Sequence, residues 1–537
     1  MISYLKKNKK LILFTFIFFL VQLPFLDQLS LLRGERDILL SGYSLAKTGR
    51  DLYGHLLSLE FLGIDPFVPF VPMYIVALLW LIIPIKTVFL ARLLFVLISL
   101  SLPFLINEIV KHITKNEKLS FWTAVIFCFS PGVFHLTRLT LEIGIAFPLL
   151  LGGIVAMQKK RRLFAYLLFF LTFFSYHGFR PLIPVVLLYL ELFEYFNNKK
   201  LFIFIKKSIL HILFFLLLVG LSFFIDGNLM RSRINDVAFS GFEKWSNTII
   251  YNRNTSIAPK KITALFDNKP IAMFLYIRDV FVKGQDLRYL FLSGDDSSLY
   301  ATTFTGQFFI TLILFYLLGF LFLGKKTKWE YFFMAGIIFV GLTPSLVNIS
   351  YISYSIRSIL SSVGYAFIIA CGIIYFLELQ QKLKPLIKKI LFSIVLISLS
   401  IELVFFIYNY YGRRFITMSE MFFENERRVA LYMINNPHPY KIYTNSPRDV
   451  LFSYLFFNNN IHIDDVYNVV KAGAPYRING FEIIKCPTNP TFTKQQEIIM
   501  DSCLTEKQYL QYITDGKFKD TIPYSNYSFR NAYFIFH

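Results

Sequence analysis

Four groups of charged residues, each beside an apolar run, carry the chemistry this sequence could do. The densest is LLRGERDILLSGYSLAKTGRDLYGHLLSLEF (31–61), where Arg33, Glu35, Arg36 and Asp37 crowd into five positions. A carboxylate next to arginine stays ionised and oriented while partial desolvation tunes its pKa, which suits a general base. The second group is SPGVFHLTRLTLEIGIAF, where Arg138 and Glu142 are four apart and on a helix share one face. The third, YHGFRP, offers His177 and Arg180, and the fourth, NISYISYSIRS, offers Arg357. Arginine presents a planar fork of donors that fits phosphate or pyrophosphate. A self-neutralising solvated loop and head-group anchoring at a lipid interface are the plainer readings of the same residues.

These groups must be positioned by elements of a membrane protein. The chain has 537 residues, 55 % of them hydrophobic and 18 % aromatic, with only 17 % charged. Soluble domains carry roughly 25 % charge, so most of this apolar surface must be solvated by lipid. Apolar stretches fall near 11–27, 88–109, 120–134, 142–157, 163–176, 181–196, 208–225, 306–324, 330–346, 359–378 and 389–409, which predicts eleven spans. A twelfth candidate, 67–85, carries Pro69, Pro72 and Pro84, and charge decides its fate. If it does not cross, the short loops on the N-terminal side hold 22 Lys and Arg, against Arg138, Arg180 and Arg357 opposite. If it crosses, most of that charge inverts against the positive-inside rule, so 67–85 is expected to be re-entrant or interfacial. The same rule explains the net charge of +21 without nucleic acid. No cleavage site follows the run after Lys10, which is therefore expected to be the first span.

The fold expected is an all-α polytopic membrane domain over 1–410, with external loops at about 28–86 and 226–305. A small extracytoplasmic α/β domain follows over 411–537, where KIYTN (441–445) reads as a strand and SPRDVLFSYLFF (446–457) as a helix. The N-terminus is then cytoplasmic and the protein a multi-pass component of the cell membrane. Cys486 and Cys503 lie where an oxidising compartment permits a disulfide, whereas Cys128 and Cys371 sit in apolar spans. No cofactor signature is present. Asp295 and Asp296 could offer oxygen ligands to a divalent metal, although adjacent Asp residues more often make a turn.

The first group, from GERDILLSGYSLAKTGRDLYGHLLSLEF onward, resembles the first external loop of GT-C membrane glycosyltransferases of the family 39 type, related to protein O-mannosyltransferases and lipid A aminoarabinose transferases. SPGVFHLTRLTLEIGIAF, SYHGFRPLIPVVLL, FLSGDDSSLYATTFTGQFF and PSLVNISYISYSIRS are similar to later segments of that family, in the same order over roughly 10–380. The resemblance implies sugar transfer from a polyprenyl-phosphate donor to a glycan, lipid or protein acceptor on the outer face. The anomeric centre inverts, one carboxylate serves as base and arginines hold the donor phosphate. It assigns the base to Glu35 or Asp37, the phosphate to Arg138, Arg180 and Arg357, and support to Arg36, Glu142, His177 and Tyr43. Three departures stand out: Gly34 replaces the family's usual Asp, GIDPFVPF replaces a Lys-Pro-Pro motif, and Leu299-Tyr300 replaces an Arg-His pair.

The direct match selects Glu35 as base, while Asp37, about 60° from position 34 on a helix, reaches the vacated place by geometry. A flippase or transporter of a lipid-linked glycan, or an inactive relative that scaffolds partners, are the competing readings. The charges lie at span ends rather than along a midplane path, which disfavours transport. Cysteine introduced at Asn458 or Gly480 should react with an impermeant maleimide in intact cells after native thiols are blocked. Labelling only after lysis would reverse the orientation.

Overall fold

The computed structural model describes residues 8–59, 69–237, 242–295, 297, 299, 300, 302, 304–325, 328–347, 354–461, 463–487, 497–504, 508, 514, 520–524 and 531–536. The chain divides into two compact units: Met1–Gln22, Val96–Arg138 and Glu142–Tyr408 form one, and Leu23–Phe95, Leu139–Leu141 and Asn409–His537 the other.

Among the described residues, five helices are long and apolar enough to cross a membrane: Val88–Thr114, Leu201–Ile225, Trp329–Val347, Ile359–Gln380 and Pro385–Thr417. They make this a membrane protein. Shorter apolar helices occupy Phe70–Ile82, Glu142–Gln158, Arg162–Phe173 and Leu312–Lys325. Several expected spans are therefore shorter helices than their apolar runs suggested, and the reason is local. Glu117–Cys128 stops before Ser130-Pro131, and Arg162–Phe173 stops before Tyr176, whose successors form a 3-10 turn, His177–Phe179. Proline disfavours helical geometry in the residue before it, so Ser130 leaves the helix in an extended conformation. The chain that peels away at these breaks bears the polar groups singled out above.

In the first unit, Leu312–Lys325 packs on Ile359–Gln380. Gly372 permits it, because a Cβ there would lie 1.7 Å from the Phe315 carbonyl oxygen. Small residues let membrane helices approach in this way. In Pro385–Ile407 only Phe406 is buried, while Ile390, Ile394, Ile397, Ile401 and Val404 are exposed. Such a surface belongs in lipid.

The second unit is built around the helix Arg33–Thr48. Gly49, in the left-handed conformation at φ 68°, ends it and returns its N–H to the Leu45 carbonyl. Phe70–Ile82 lies against this helix: Trp80 Nε1 donates to the Leu39 carbonyl at 3.2 Å, and a Cβ on Gly42 would meet Val76 Cγ1 at 2.7 Å. At 13 residues, Phe70–Ile82 rises about 20 Å, short of the roughly 30 Å hydrocarbon core.

The C-terminal stretch adds a sheet ordered β2-β3-β1-β4-β6-β5. Its strands are β1 (Lys441–Thr444), β2 (Tyr476–Ile478), β3 (Phe481–Lys485), β4 (Glu497–Met500), β5 (Asp520–Pro523) and β6 (Asn531–Phe536). β1 runs parallel to β3 and β4, with Ile442 opposite Ile483 and Ile498, and the remaining pairs are antiparallel. The helix Pro447–Phe457 follows β1, starting at a proline whose missing N–H costs nothing in the first turn. A disulfide joins Cys486 to Cys503, while Cys128 and Cys371 are buried free thiols.

Candidate functional site

The predicted residues fall into two groups, one in each unit. In the second unit, Glu35, Arg36 and Asp37 occupy the first turns of Arg33–Thr48, all at or below 1 % exposure. Glu35 Oε1 accepts from Arg92 Nε at 3.1 Å and from the Thr140 N–H and hydroxyl, both at 2.9 Å. Its Oε2 accepts from Arg92 Nη2 and the Leu32 N–H, both at 2.9 Å. Burial alone would raise the pKa, but the charge and hydrogen bonds of Arg92, with those of Thr140 and Leu32, outweigh it and hold the carboxyl below its ordinary value. Five donors exceed the roughly four lone-pair positions of a carboxylate. Asp37, two residues on, lies within electrostatic reach of Arg36 and Tyr53.

Arg92 spends its remaining capacity on the main chain: Nη1 donates to Leu26 O at 2.7 Å and Leu29 O at 2.9 Å, and Nη2 to Ser30 O at 2.7 Å. Sequence reasoning missed this residue. Its signal was a lone arginine inside VFLARLLFVLIS, where an unpaired charge would not be tolerated.

Arg36 is fully buried. Nη2 donates to Asp449 Oδ1 at 2.6 Å, while Nη1 donates to the Asp449 carbonyl at 2.7 Å and Ser453 Oγ at 2.8 Å. The guanidinium also lies 4.3 Å from the Phe423 ring centre. Arg33 reaches the same carboxylate, with Nη2 2.8 Å from Asp449 Oδ2. Near this pair Glu426 is buried, and burial lifts its pKa to about 7 against the charge of Arg36. Tyr43 points elsewhere: Lys86 Nζ stands 4.5 Å over its ring. That ammonium donates to Leu455 O at 2.6 Å and Asn458 O at 2.9 Å, capping the end of Pro447–Phe457. Burial brings the Lys86 pKa down to about 7, with Lys47 adding to the effect.

In the first unit, Arg357 hydrogen-bonds Tyr176, and Glu142 and Tyr300 lie within electrostatic reach of that phenol. Two predicted residues, Arg357 and Glu142, thus meet around Tyr176, whose signal was its place in the YHGF segment. Arg180, after the His177 turn, donates through Nη1 to Ser222 Oγ at 3.1 Å and lies 5.0 Å over Phe173. Arg138 is 4 % exposed and donates to the Gln22 carbonyl at 2.8 Å, a tie between its turn and the end of the first helix.

Asp295 accepts the N–H of Ser297 at 3.0 Å and of Ser355 at 2.7 Å, one on each oxygen, so it pins its loop to the segment before Arg357. Asp296 lies outside the described residues. Among the described residues, no three His, Cys, Asp or Glu side chains gather in a way that could hold a metal ion.

No family model and no curated protein matches the sequence. Among solved structures, the archaeal oligosaccharyltransferase AglB from Archaeoglobus fulgidus, in complex with an inhibitory peptide and a dolichol-phosphate, aligns with a TM-score of 0.42 at 10 % identity, over 84 % of this chain and 64 % of that one. The same organism's oligosaccharyltransferase in the apo form, and tethered to an acceptor peptide containing the NVT sequon, gives 0.42 at 12 % identity over 85 % of this chain. This chain spans 64–65 % of the length of those proteins. Likeness at that level carries no argument, and the chain's own residues carry the functional reading.

Removing one member of a buried ion pair strands the other, which costs about 3–5 kcal/mol, whereas replacing both with apolar side chains costs far less. Glu35→Gln and Arg92→Met should each lower thermal stability strongly, and the double variant should lose less than the sum of the two, with the Leu26, Leu29 and Ser30 carbonyls still unmet. Additive losses in a double-mutant cycle would show that the two side chains act independently. Because the folded pKa of Glu35 is depressed, its contribution is present above about pH 4.3 and fades as pH falls through the folded value.

Proposed function

We propose that this chain is a membrane glycosyltransferase that moves a sugar from a polyprenyl-phosphate donor to an acceptor on the outer face, in one inverting displacement. The observation that carries the reading is the locked start of the helix Arg33–Thr48, which bears both candidate carboxylates. Glu35 is saturated by Arg92, Thr140 and Leu32, while Asp37 lies on the same rigid turn next to Arg36. A helix start locked this firmly holds a base in place, and pre-set geometry is what general base catalysis requires. The ordered resemblance of segments along 10–380 supports the same chemistry.

In this reading Asp37 takes the proton of the acceptor hydroxyl as its oxygen attacks the anomeric carbon, and the polyprenyl phosphate leaves with the bonding electrons. The family resemblance assigns the departing phosphate to arginines such as Arg180 and Arg357, the latter hydrogen-bonded to Tyr176. Arg138 stays with the main chain it already holds. The acceptor is a glycan, a lipid or a protein. The reading includes the eleven-span topology, with residues 411–537 outside.

A general base is worth about 10²- to 10⁴-fold in rate. Asp37→Asn should therefore lower turnover with polyprenyl-phosphate sugar by that order while donor binding is retained. Arg357→Lys keeps the charge but loses the fork and should weaken donor binding. Full turnover in Asp37→Asn would remove this residue from the mechanism.

A further inference from the structure

Two arginines precede Asp37 on its helix, and one carboxylate more than 400 residues away takes both. Asp449, on the helix Pro447–Phe457, has a side chain 2 % exposed. Its Oδ1 accepts from Arg36 Nη2 at 2.6 Å and Arg33 Nε at 3.3 Å, and its Oδ2 from Arg33 Nη2 at 2.8 Å. One turn further, Ser453 takes another donor of Arg36. Arg33 and Arg36 are three apart, so they lie on one face of their helix and Asp37 is the next residue.

We propose that Asp449 is a positioning residue of the transfer site: by sharing its carboxylate between Arg33 and Arg36, it fixes their orientation and cancels part of their charge beside Asp37. The proposal rests on the transferase reading. It makes the C-terminal α/β segment part of the catalytic apparatus rather than an appendage.

Without Asp449, both guanidinium charges bear on Asp37, its carboxylate is over-stabilised, and it becomes a weaker base. The other groups in this neighbourhood are Glu35, already neutralised by Arg92, together with Glu424 and Glu426 on Glu424–Asn435. Arg448 approaches from the Asp449 helix, and Tyr53 and Asp51 from the turn after the first-loop helix. Tyr53 lies within electrostatic reach of Asp37, Asp51 and Arg448, and Arg448 Nη2 is 3.3 Å from its hydroxyl. Asp449 bridges Arg33 and Arg36 directly.

The test is the pH profile of kcat for the purified full-length protein with polyprenyl-phosphate sugar. Asp449→Asn should move the acid limb to lower pH, because a negative charge near Asp37 is removed while both guanidinium charges remain. Its plateau should fall about threefold or more, as expected for a weaker base. Ser453→Ala removes one hydrogen bond to Arg36 without changing charge, so it should lower thermal stability and leave the limb in place. If Asp449→Asn does not fold, Asp449→Glu decides. It should keep the wild-type limb with a lowered kcat, and an unchanged kcat would overturn the proposal. A wild-type limb in Asp449→Asn, or an equal displacement in Ser453→Ala, would also overturn it while the transferase reading stands. Absence of turnover in the wild type would overturn both.

Discussion

The ion pair between Glu35 and Arg92 is the constraint on which the first-loop region depends. Arg92 sits in an apolar helix, where an unpaired guanidinium would be costly. It is tolerated because every donor direction is used, on Glu35 and on the carbonyls of Leu26, Leu29 and Ser30. The same contacts fix the chain from 26 to 35 and start the helix that follows. Glu35 closes the arrangement by reaching back to the Leu32 N–H, as the acidic residue of a capping box does. A buried pair of this kind is weak evidence for stability and better evidence for a required geometry.

From that anchor the charges are disposed in sequence. Arg92 answers Glu35, Asp449 answers Arg33 and Arg36, and Asp37 is left next to a guanidinium that is already held. The Lys86 ammonium capping Pro447–Phe457 gives this unit a second polar tie to its C-terminal stretch. A third comes from Tyr467, whose hydroxyl meets those of Ser44 and Thr48. The two stretches 23–95 and 409–537 are thus one compact unit for a chemical reason, namely that each supplies the counter-charges or acceptors the other has buried.

What was legible in the sequence was local. The strand at 441–444 and the helix after it followed from alternation and a proline start, and the cluster at 33–37 was visible as charge density. Arg357 and Glu142 could be marked as candidates because each stands out beside an apolar run. Their meeting at Tyr176 could not be read, since it depends on where helices stop rather than on how apolar they are. Arg92 was hidden in a run read for its hydropathy alone. Asp449 was invisible as a partner of Arg36 because the two are 413 residues apart and no periodicity links them. The choice between Glu35 and Asp37 was not legible, because what a buried carboxylate accepts depends on Arg92 and Thr140, which lie far from it in sequence.

The central claim is a single displacement at an anomeric carbon with a lipid phosphate as leaving group. The most direct measurement supplies the purified protein with a polyprenyl-phosphate sugar of defined anomeric configuration and determines the configuration of the product by NMR. The account predicts transfer with inversion and release of the polyprenyl phosphate. Retention of configuration, or no transfer from any lipid-phosphate sugar, would contradict it.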